Sequence, residues 1–337
     1  MVLSCSKVAM KLSDLGERKA IQLISKILSK GDEVVGIGDD CAAFRFKDDY
    51  LLVSTDMISS KTHIPKSMTP WQMGWFIVAI NLSDVAAKGG KPLGFVLSLG
   101  LPKNTTDSFL KEIMRGANSC ARKYGLSIVG GDTKENTDIT LCGTVFGFVK
   151  KDCFMPRKGC KPDDIVAVTG DLGRAGAGYY AIQKDIKNKK IINGLLEPKP
   201  RIKAGMILAN EKIVTSCMDI SDGLSSSLYQ LMDLNNVGFE IEKEKIPISP
   251  SLDYLSKTND LDVYDYALHF GGDYELLLTI PSDKFEKTKR CMDSIGISLK
   301  IIGSVTKQKK VLLVKKGVKK TLKNKGYEHF KKPFFLI

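Results

Sequence analysis

The sequence predicts an α/β protein built as two halves, and three observations carry that expectation. Apolar, β-branched runs bounded by Gly, Asp or Pro alternate with longer segments of helical length that end on glycine. A polar stretch, KKDCFMPRKGCKPDD, marks a boundary near residues 150–162, after which the pattern restarts. The 337 residues exceed the usual size of one domain, and a hydrophobic share of 43% is ample for real cores.

In the first half, Ser13-Asp14 ahead of LGERKAIQLISKILSKG reads as the cap of an amphipathic helix, with Leu15, Ile21, Ile24 and Leu28 on one face and Gly31 as the stop. VVGIG, YLLVSTD, LGFVLSLGLP, LSIVGGD and DITLCGTVFGFV read as strands. Between them, WQMGWFIVAINLSDVAAKGG and NTTDSFLKEIMRGANSCARKYG have helical length. In the second half, the strand DIVAVTG leads through a glycine-rich turn into the helix GAGYYAIQKDI. The loop LLEPKPRIKAG, another helix, the MDISDG turn and the helix GLSSSLYQLMDLNN follow, then strands near YELLLTIP, LKIIGSV and KVLLVKK.

Seven aspartates end, or sit just beyond, apolar runs: Asp39 and Asp40, Asp56, Asp84, Asp132, and Asp219 with Asp222. Almost no cation stands beside them in the sequence. Carboxylates gathered at one end of a sheet repel each other and would take up protons unless divalent cations hold them. Ser54, Thr55 and Asp56 add an oxygen-rich triplet of hard ligands suited to Mg²⁺. Asn81 and Asp84 share a helix face, and a pair between Asp84 and Lys88 one turn on is the structural alternative. Ser221 or Asp222 can cap the next helix, which accounts for one carboxylate but not two. His63 is either a surface histidine or a contact for a substrate phosphate.

GDLGRAGAG, from Gly170 to Gly178, is either a tight strand-to-helix turn or a phosphate cradle. The absence of GxxxxGK[ST] and of a kinase-type glycine loop disfavours the common nucleotide folds. Eight cysteines without CxxC, and three histidines, point to reduced structural thiols rather than a zinc site or disulfides. No apolar run approaches the ~18 residues of a membrane span, and a cytoplasmic globular protein is expected. The net charge is +13, yet residues 281–337 hold 16 Lys and Arg against 4 Asp and Glu, so the basicity is C-terminal. Its lysine pairs fit strand ends and a hairpin with a solvated surface; no aromatic interleaving or motif marks nucleic-acid binding.

GIGDDCAAF, STDM followed by His63, NLSDVAAKGGKPLGFVLSLGLP, GGDTKE, EPKPRIKAG, MDISDGLSSSL, DYELLLTIP and KGYEHF occur in this order, and together they resemble the thiamine-monophosphate kinase family. Its superfamily also holds aminoimidazole ribonucleotide synthetase, selenophosphate synthetase and a hydrogenase-maturation protein. The resemblance covers nearly the whole chain. It implies a two-domain PurM-like α/β (α+β) architecture, with an N-terminal sheet-and-helix domain over 1–150 and a C-terminal α/β domain over 151–337. The first would bind ATP and Mg²⁺ and build a homodimer.

The implied reaction is Mg²⁺-dependent, in-line transfer of the ATP γ-phosphoryl group to thiamine monophosphate, giving thiamine diphosphate and ADP. The implied ligands of several Mg²⁺ ions are Asp39, Asp40, Ser54, Thr55, Asp56, Asp84, Asp132, Asp219 and Asp222. ATP would meet Gly131, Asp132, Arg157 and Ser221, and the thiamine phosphate would meet His63 and Tyr327. Relatives usually read Gly-Gly-Glu-Asp-Tyr-Glu-Leu, whereas Gly272 stands here where the acidic substrate contact is expected. Asp273 or Glu275 then substitutes, or pyrimidine recognition differs.

An acceptor phosphate with a second pKa of about 6 is already ionised at neutral pH, so neither a side-chain base nor a covalent nucleophile is expected. Selenophosphate synthetases carry a reactive Cys or selenocysteine in a glycine-rich N-terminal loop unlike MVLSCSKVAMK. The hydrogenase-maturation type needs a C-terminal cysteine where this chain reads FFLI. A basic nucleic-acid-binding protein would have no use for the aspartates.

Overall fold

The computed structural model describes residues 9–332 and Phe335; residues 1–8 of MVLSCSKVAMK, and FFLI apart from Phe335, lie outside the described residues. The first half runs α1 (Leu12–Leu15), α2 (Glu17–Ile27), β1 (Glu33–Val35), β2 (Ala42–Phe46), β3 (Asp49–Ser59), α3 (Pro70–Ala87), β4 (Lys91–Leu101), α4 (Asp107–Lys123), β5 (Ser127–Glu135) and β6 (Thr140–Lys150). The second runs β7 (Ile165–Thr169), α5 (Arg174–Gln183), α6 (Lys189–Leu196), α7 (Ile202–Glu211), β8 (Ser216–Asp219), α8 (Leu224–Asn235) and β9 (Gly238–Glu242). It ends with α9 (Pro250–Thr258), α10 (Val263–His269), β10 (Leu276–Ile280), α11 (Phe285–Asp293), β11 (Leu299–Thr306), β12 (Val311–Lys315) and β13 (Val318–Thr321).

Each half owns one mixed sheet, ordered β1-β2-β3-β6-β4-β5 and β13-β12-β9-β11-β7-β10-β8. Along β6 buried and half-buried residues alternate, because α3 covers one face of the first sheet and the other stays open. In the second sheet β7 and β10 are buried almost throughout and read as continuous apolar runs.

The helix α3 positions the site. Thr69 and Gln72 cap its start reciprocally and Pro70 sits at its first position. Its sequence is apolar on every side, as a fully enclosed helix requires, and 15 of its 18 residues are buried. It packs on β3, β4 and β6 of its own half and on α7 and β8 of the other. At the α7 crossing, a Cβ on Gly205 would lie 2.0 Å from the Ala86 carbonyl, so only glycine allows this approach. Apolar residues of both halves consequently join one core.

Several expected elements shift. VVGIG is strand only at β1, because Gly38 (φ +110) turns the chain towards Asp39 and Asp40. CAAFRF adds the strand β2, which was not foreseen. Ser13 and Asp14 lie inside α1 rather than capping the longer helix, since Gly16 (φ +79) breaks the chain before Glu17. No residue of α2 is buried, and Ile21, Ile24 and Leu28 are exposed. The periodicity of this helix was legible, but its apolar face has no cover among the described residues. The lysine-rich segment does form a hairpin, β12 and β13, turning at Lys316-Gly317 with positive φ at both residues.

Candidate active site

Four segments bring the acidic residues together. The turn after Gly38 carries Asp39 and Asp40, β3 carries Ser54 and Asp56, α3 carries Asn81, Ser83 and Asp84, and β8 ends on Asp219. Asp40, Asp84 and Asp219 each offer an oxygen within 4.8 Å of the others. Ser54 Oγ donates to Asp84 Oδ2 at 2.5 Å, and Ser83 Oγ donates to Asp219 Oδ2 at 2.6 Å. Of two consecutive residues of α3, Asp84 is thus braced from within the first half and Ser83 braces a carboxylate of the second. Asn81 accepts from the Asp56 amide at 3.1 Å and donates to Ile77 O, fixing β3 against the helix.

Burial and mutual repulsion act on these groups as expected for uncompensated carboxylates. Asp84 is raised well above its ordinary value by burial and by Asp56, Asp219 and Asp40. Burial, then Asp40, lift Asp56 to about 6 and Asp219 to about 7. Asp222 rises to about 6 through burial and Glu17. Asp40 goes the other way: burial would raise it, but Arg157 and Lys88 hold it below the usual range.

Cations do stand beside the first two aspartates, against the expectation from sequence. Lys88 turns away from Asp84 and reaches Asp39 Oδ1 at 2.6 Å and Asp40 Oδ2 at 2.7 Å. Arg157 Nε donates to Asp40 Oδ1 at 2.8 Å, and its backbone amide donates to Asp39 Oδ2 at 3.0 Å. Asp39 Oδ1 also accepts the Asp40 amide, so both oxygens of Asp39 are engaged and it acts as a brace. Asp40 Oδ2 is buried with no hydrogen bond, its ion pair with Lys88 aside. That oxygen, beside those of Asp84 and Asp219, completes a hard donor set that fits a divalent cation such as Mg²⁺.

A cavity of about 460 Å³ lies against the cluster, lined by Thr55, Asp56, Asp84, Asp219, Ser221 and Asp222 and by His63, Phe270, Gly272 and Tyr327 among others. The helix α8 starts at Gly223 with no side-chain cap, so Ser221 and Asp222 do not cap it as expected. His63 Nδ1 lies 2.7 Å from Thr62 Oγ1, and burial together with His329 lowers its pKa to about 4. Tyr327 OH is 3.2 Å from His329 Nδ1. The wall at this point is a clasp between distant segments: Glu17 N donates to His329 O at 3.2 Å, and Arg18 N to Glu328 Oε1 at 3.4 Å. Sequence reasoning missed Ser83, Glu17 and His329, none of which belongs to an acidic run.

Other expected residues lie elsewhere. Gly131 and Asp132 are on β5, the exposed edge of the first sheet, where Asp132 accepts from the Thr133 amide and does not line the cavity. Asp273 is buried and accepts from the Gly173 and Ala175 amides at 2.6 and 2.9 Å. It thereby occupies the start of α5, so GDLGRAGAG is a turn closed by the Asp273 carboxylate rather than an open cradle. Glu275 accepts from Arg201 Nε at 2.6 Å and from Thr169 Oγ1 at 2.7 Å, with Arg174 at 3.4 Å. Neither acid reaches the cavity to replace the side chain that Gly272 lacks.

Comparison with known proteins adds a lineage to this geometry. Models of the AIR synthase related protein match residues 38–149 with its N-terminal domain and residues 161–316 with its C-terminal domain. The thiamine-monophosphate kinase of Pyrococcus horikoshii is 36% identical over 299 residues, 88% of this chain and 91% of its own. That of Bacillus subtilis is 31% identical over 309 residues, 88% of this chain and 94% of its own. The structure of AaThiL complexed with AMPPCP and TMP is similar with a TM-score of 0.86 at 29% identity, covering 96% of this chain and all of that one (100%). A hydrogenase maturation protein of E. coli, 20% identical with a TM-score of 0.69 over 81% of this chain and 85% of its own, shares the fold.

Proposed function

The chain belongs to the AIR synthase related family and, within it, to the thiamine-monophosphate kinases, and from that premise we propose how its residues perform the reaction. It transfers the γ-phosphoryl group of ATP to thiamine monophosphate, giving thiamine diphosphate and ADP. The observation that carries this is the meeting of Asp40 and Asp84 from one half with Asp219 from the other beside the cavity.

Asp40, Asp84 and Asp219 would hold Mg²⁺, with Asp56 and Asp222 extending the donor set along the cavity wall. Bound there, Mg²⁺ would neutralise charge on the γ-phosphate and on the acceptor phosphate, whose mutual repulsion is the main barrier. The acceptor oxygen is already ionised, so the side chains orient and exclude water rather than move a proton. Burial and His329 keep the His63 ring uncharged at neutral pH, and in the tautomer whose Nδ1 accepts the Thr62 hydroxyl, Nε2–H would donate to the thiamine phosphate. Tyr327 offers an aromatic face to a cationic ring. Ser221 and Arg157 are assigned to ATP, and pyrimidine recognition differs from that of relatives because Asp273 and Glu275 are engaged elsewhere.

A homodimer through the first halves is part of the same proposal. It is supported by the open sheet face, with Phe44, Phe46 and Met57 exposed, and by the exposed edge strand carrying Gly131 and Asp132. A cytoplasmic location is supported by the seven described cysteines, all free thiols. Incubation with ATP, Mg²⁺ and thiamine monophosphate is expected to yield thiamine diphosphate and ADP together, with no labelled phosphoprotein. ADP release without thiamine diphosphate would discard the acceptor, and a phosphoprotein on the turnover pathway would discard direct transfer.

A further inference from the structure

Lys88 is fully buried, and nothing in the transfer reaction described above employs it. Its Nζ has three hydrogens and three oxygens around it: Asp39 Oδ1 at 2.6 Å, Asp40 Oδ2 at 2.7 Å and the Cys217 carbonyl at 2.9 Å. The first two belong to the turn after β1, and the third to β8, two residues before Asp219. The ammonium also lies 5.9 Å from the ring centroid of Phe154, in the segment joining the halves. That segment is tied in by Met155 N to Lys88 O at 3.5 Å, by Arg157 N to Asp39 and by Cys217 N to Pro156 O at 2.9 Å.

The charges around this point divide into two sets. Asp39 and Asp40 are matched inside the chain by Lys88 and Arg157. The carboxylates of Asp84 and Asp219 accept from hydroxyls, that of Asp56 shares a hydrogen bond with Asp84, and none of the three has an ion pair among the described residues. A buried ammonium is costly unless paired and hydrogen-bonded, and here it is saturated by groups that otherwise repel one another.

We propose that Lys88 is a positioning residue, a built-in cation that stands where a further divalent ion would otherwise be needed between Asp39 and Asp40, and that holds the ligands of both halves in register before any metal binds. The proposal rests on the metal-assisted kinase reading and extends it: external cations answer to the carboxylates that Lys88 and Arg157 leave unmatched, and Asp40 alone is shared between the internal cations and the metal. A lysine that merely filled space would contribute equally with and without metal. A lysine that replaces an ion makes the fold's dependence on metal change when it is removed.

Lys88→Met keeps an unbranched apolar chain and deletes the charge. Unfolding midpoints are to be measured in EDTA and in millimolar Mg²⁺ without nucleotide, with Mn²⁺ bound per chain counted by electron paramagnetic resonance. The expected result is a several-fold larger Mg²⁺-induced rise in midpoint than in the native chain, and about one additional Mn²⁺ bound. Equal losses of midpoint in both buffers with an unchanged Mn²⁺ count would overturn the assignment. Should Lys88→Met not fold, the charge-matched Asp39→Asn/Lys88→Met pair is expected to recover a folded chain, and failure of that pair to recover also overturns it. Turnover of the native chain, assayed separately, reports on the kinase reading alone.

Discussion

Glu275 and Asp219 stand at neighbouring ends of β10 and β8, both buried, in opposite circumstances. Glu275 is surrounded by Arg201, Arg174 and Thr169, and Asp273 beside it by two amides of α5. Asp219 has Ser83, and Asp84 has Ser54, with repulsion from neighbouring carboxylates around them. The same residue types therefore do different work: a complete partner set makes a carboxylate part of the scaffold, and an incomplete one leaves it for a ligand.

The largest effects should separate these classes outright. Replacing Glu275 by leucine leaves the half-buried Arg201 without its acid, while Arg174 keeps Asp171 at 2.8 Å, and a stability loss of about 3 kcal/mol is expected in chemical denaturation. Activity per folded molecule should hold near the native level; loss of activity without loss of stability would place Glu275 with the ligand-binding carboxylates. For Asp84→Asn the pattern inverts. A fall in kcat of about 10²–10³-fold is expected, with metal-free stability unchanged or improved, because an uncompensated buried charge is removed. Intact magnesium dependence and rate in this variant would break the shared-metal picture.

Between pH 5 and 8 the metal-free chain offers a gentler test. Asp56 and Asp222 near 6 and Asp219 near 7 all sit above the ordinary carboxyl value of 3.8, as does Asp273 near 7. At these four carboxyls the folded state holds protons that the unfolded chain releases, which outweighs the opposite pull of His63 and His269, both lowered to about 4 by burial, so stability rises as pH falls through this window. The unfolding midpoint in EDTA should be higher at pH 5 than at pH 8. Saturating Mg²⁺ should remove the contribution of the cleft while leaving that of Asp273; a midpoint that falls on acidification would contradict the charge pattern. The smallest effect belongs to the hairpin, where Lys319 meets Glu240 at 2.6 Å. Lys319→Ala should cost no more than about 1 kcal/mol, and salt-sensitive retention of the native chain on RNA would show that these lysines serve more than solvation.

The comparison also marks what the sequence could disclose. Buried strands and α3 were legible because apolar runs, turn glycines and terminal aspartates repeat a pattern. The direction of Lys88 was not, because helix spacing proposes Asp84 one turn back and only the tertiary fold brings the 39–40 turn within reach. Asp273 was misread for a related reason: the amides it accepts from lie about a hundred residues earlier. Asp132 follows a buried-looking run, yet β5 pairs with β4 alone and faces outward. For α2, periodicity gave the helix but not its environment.

A helix that is core to both halves leaves little room for a hinge between them. Rotating one half against the other would tear the contact at Gly205 and Ala86 and misalign Ser83 with Asp219. The Glu17–His329 clasp is built differently: long hydrogen bonds between segments at opposite ends of the sequence close the cavity wall there, with none of the interlocked packing that holds α3.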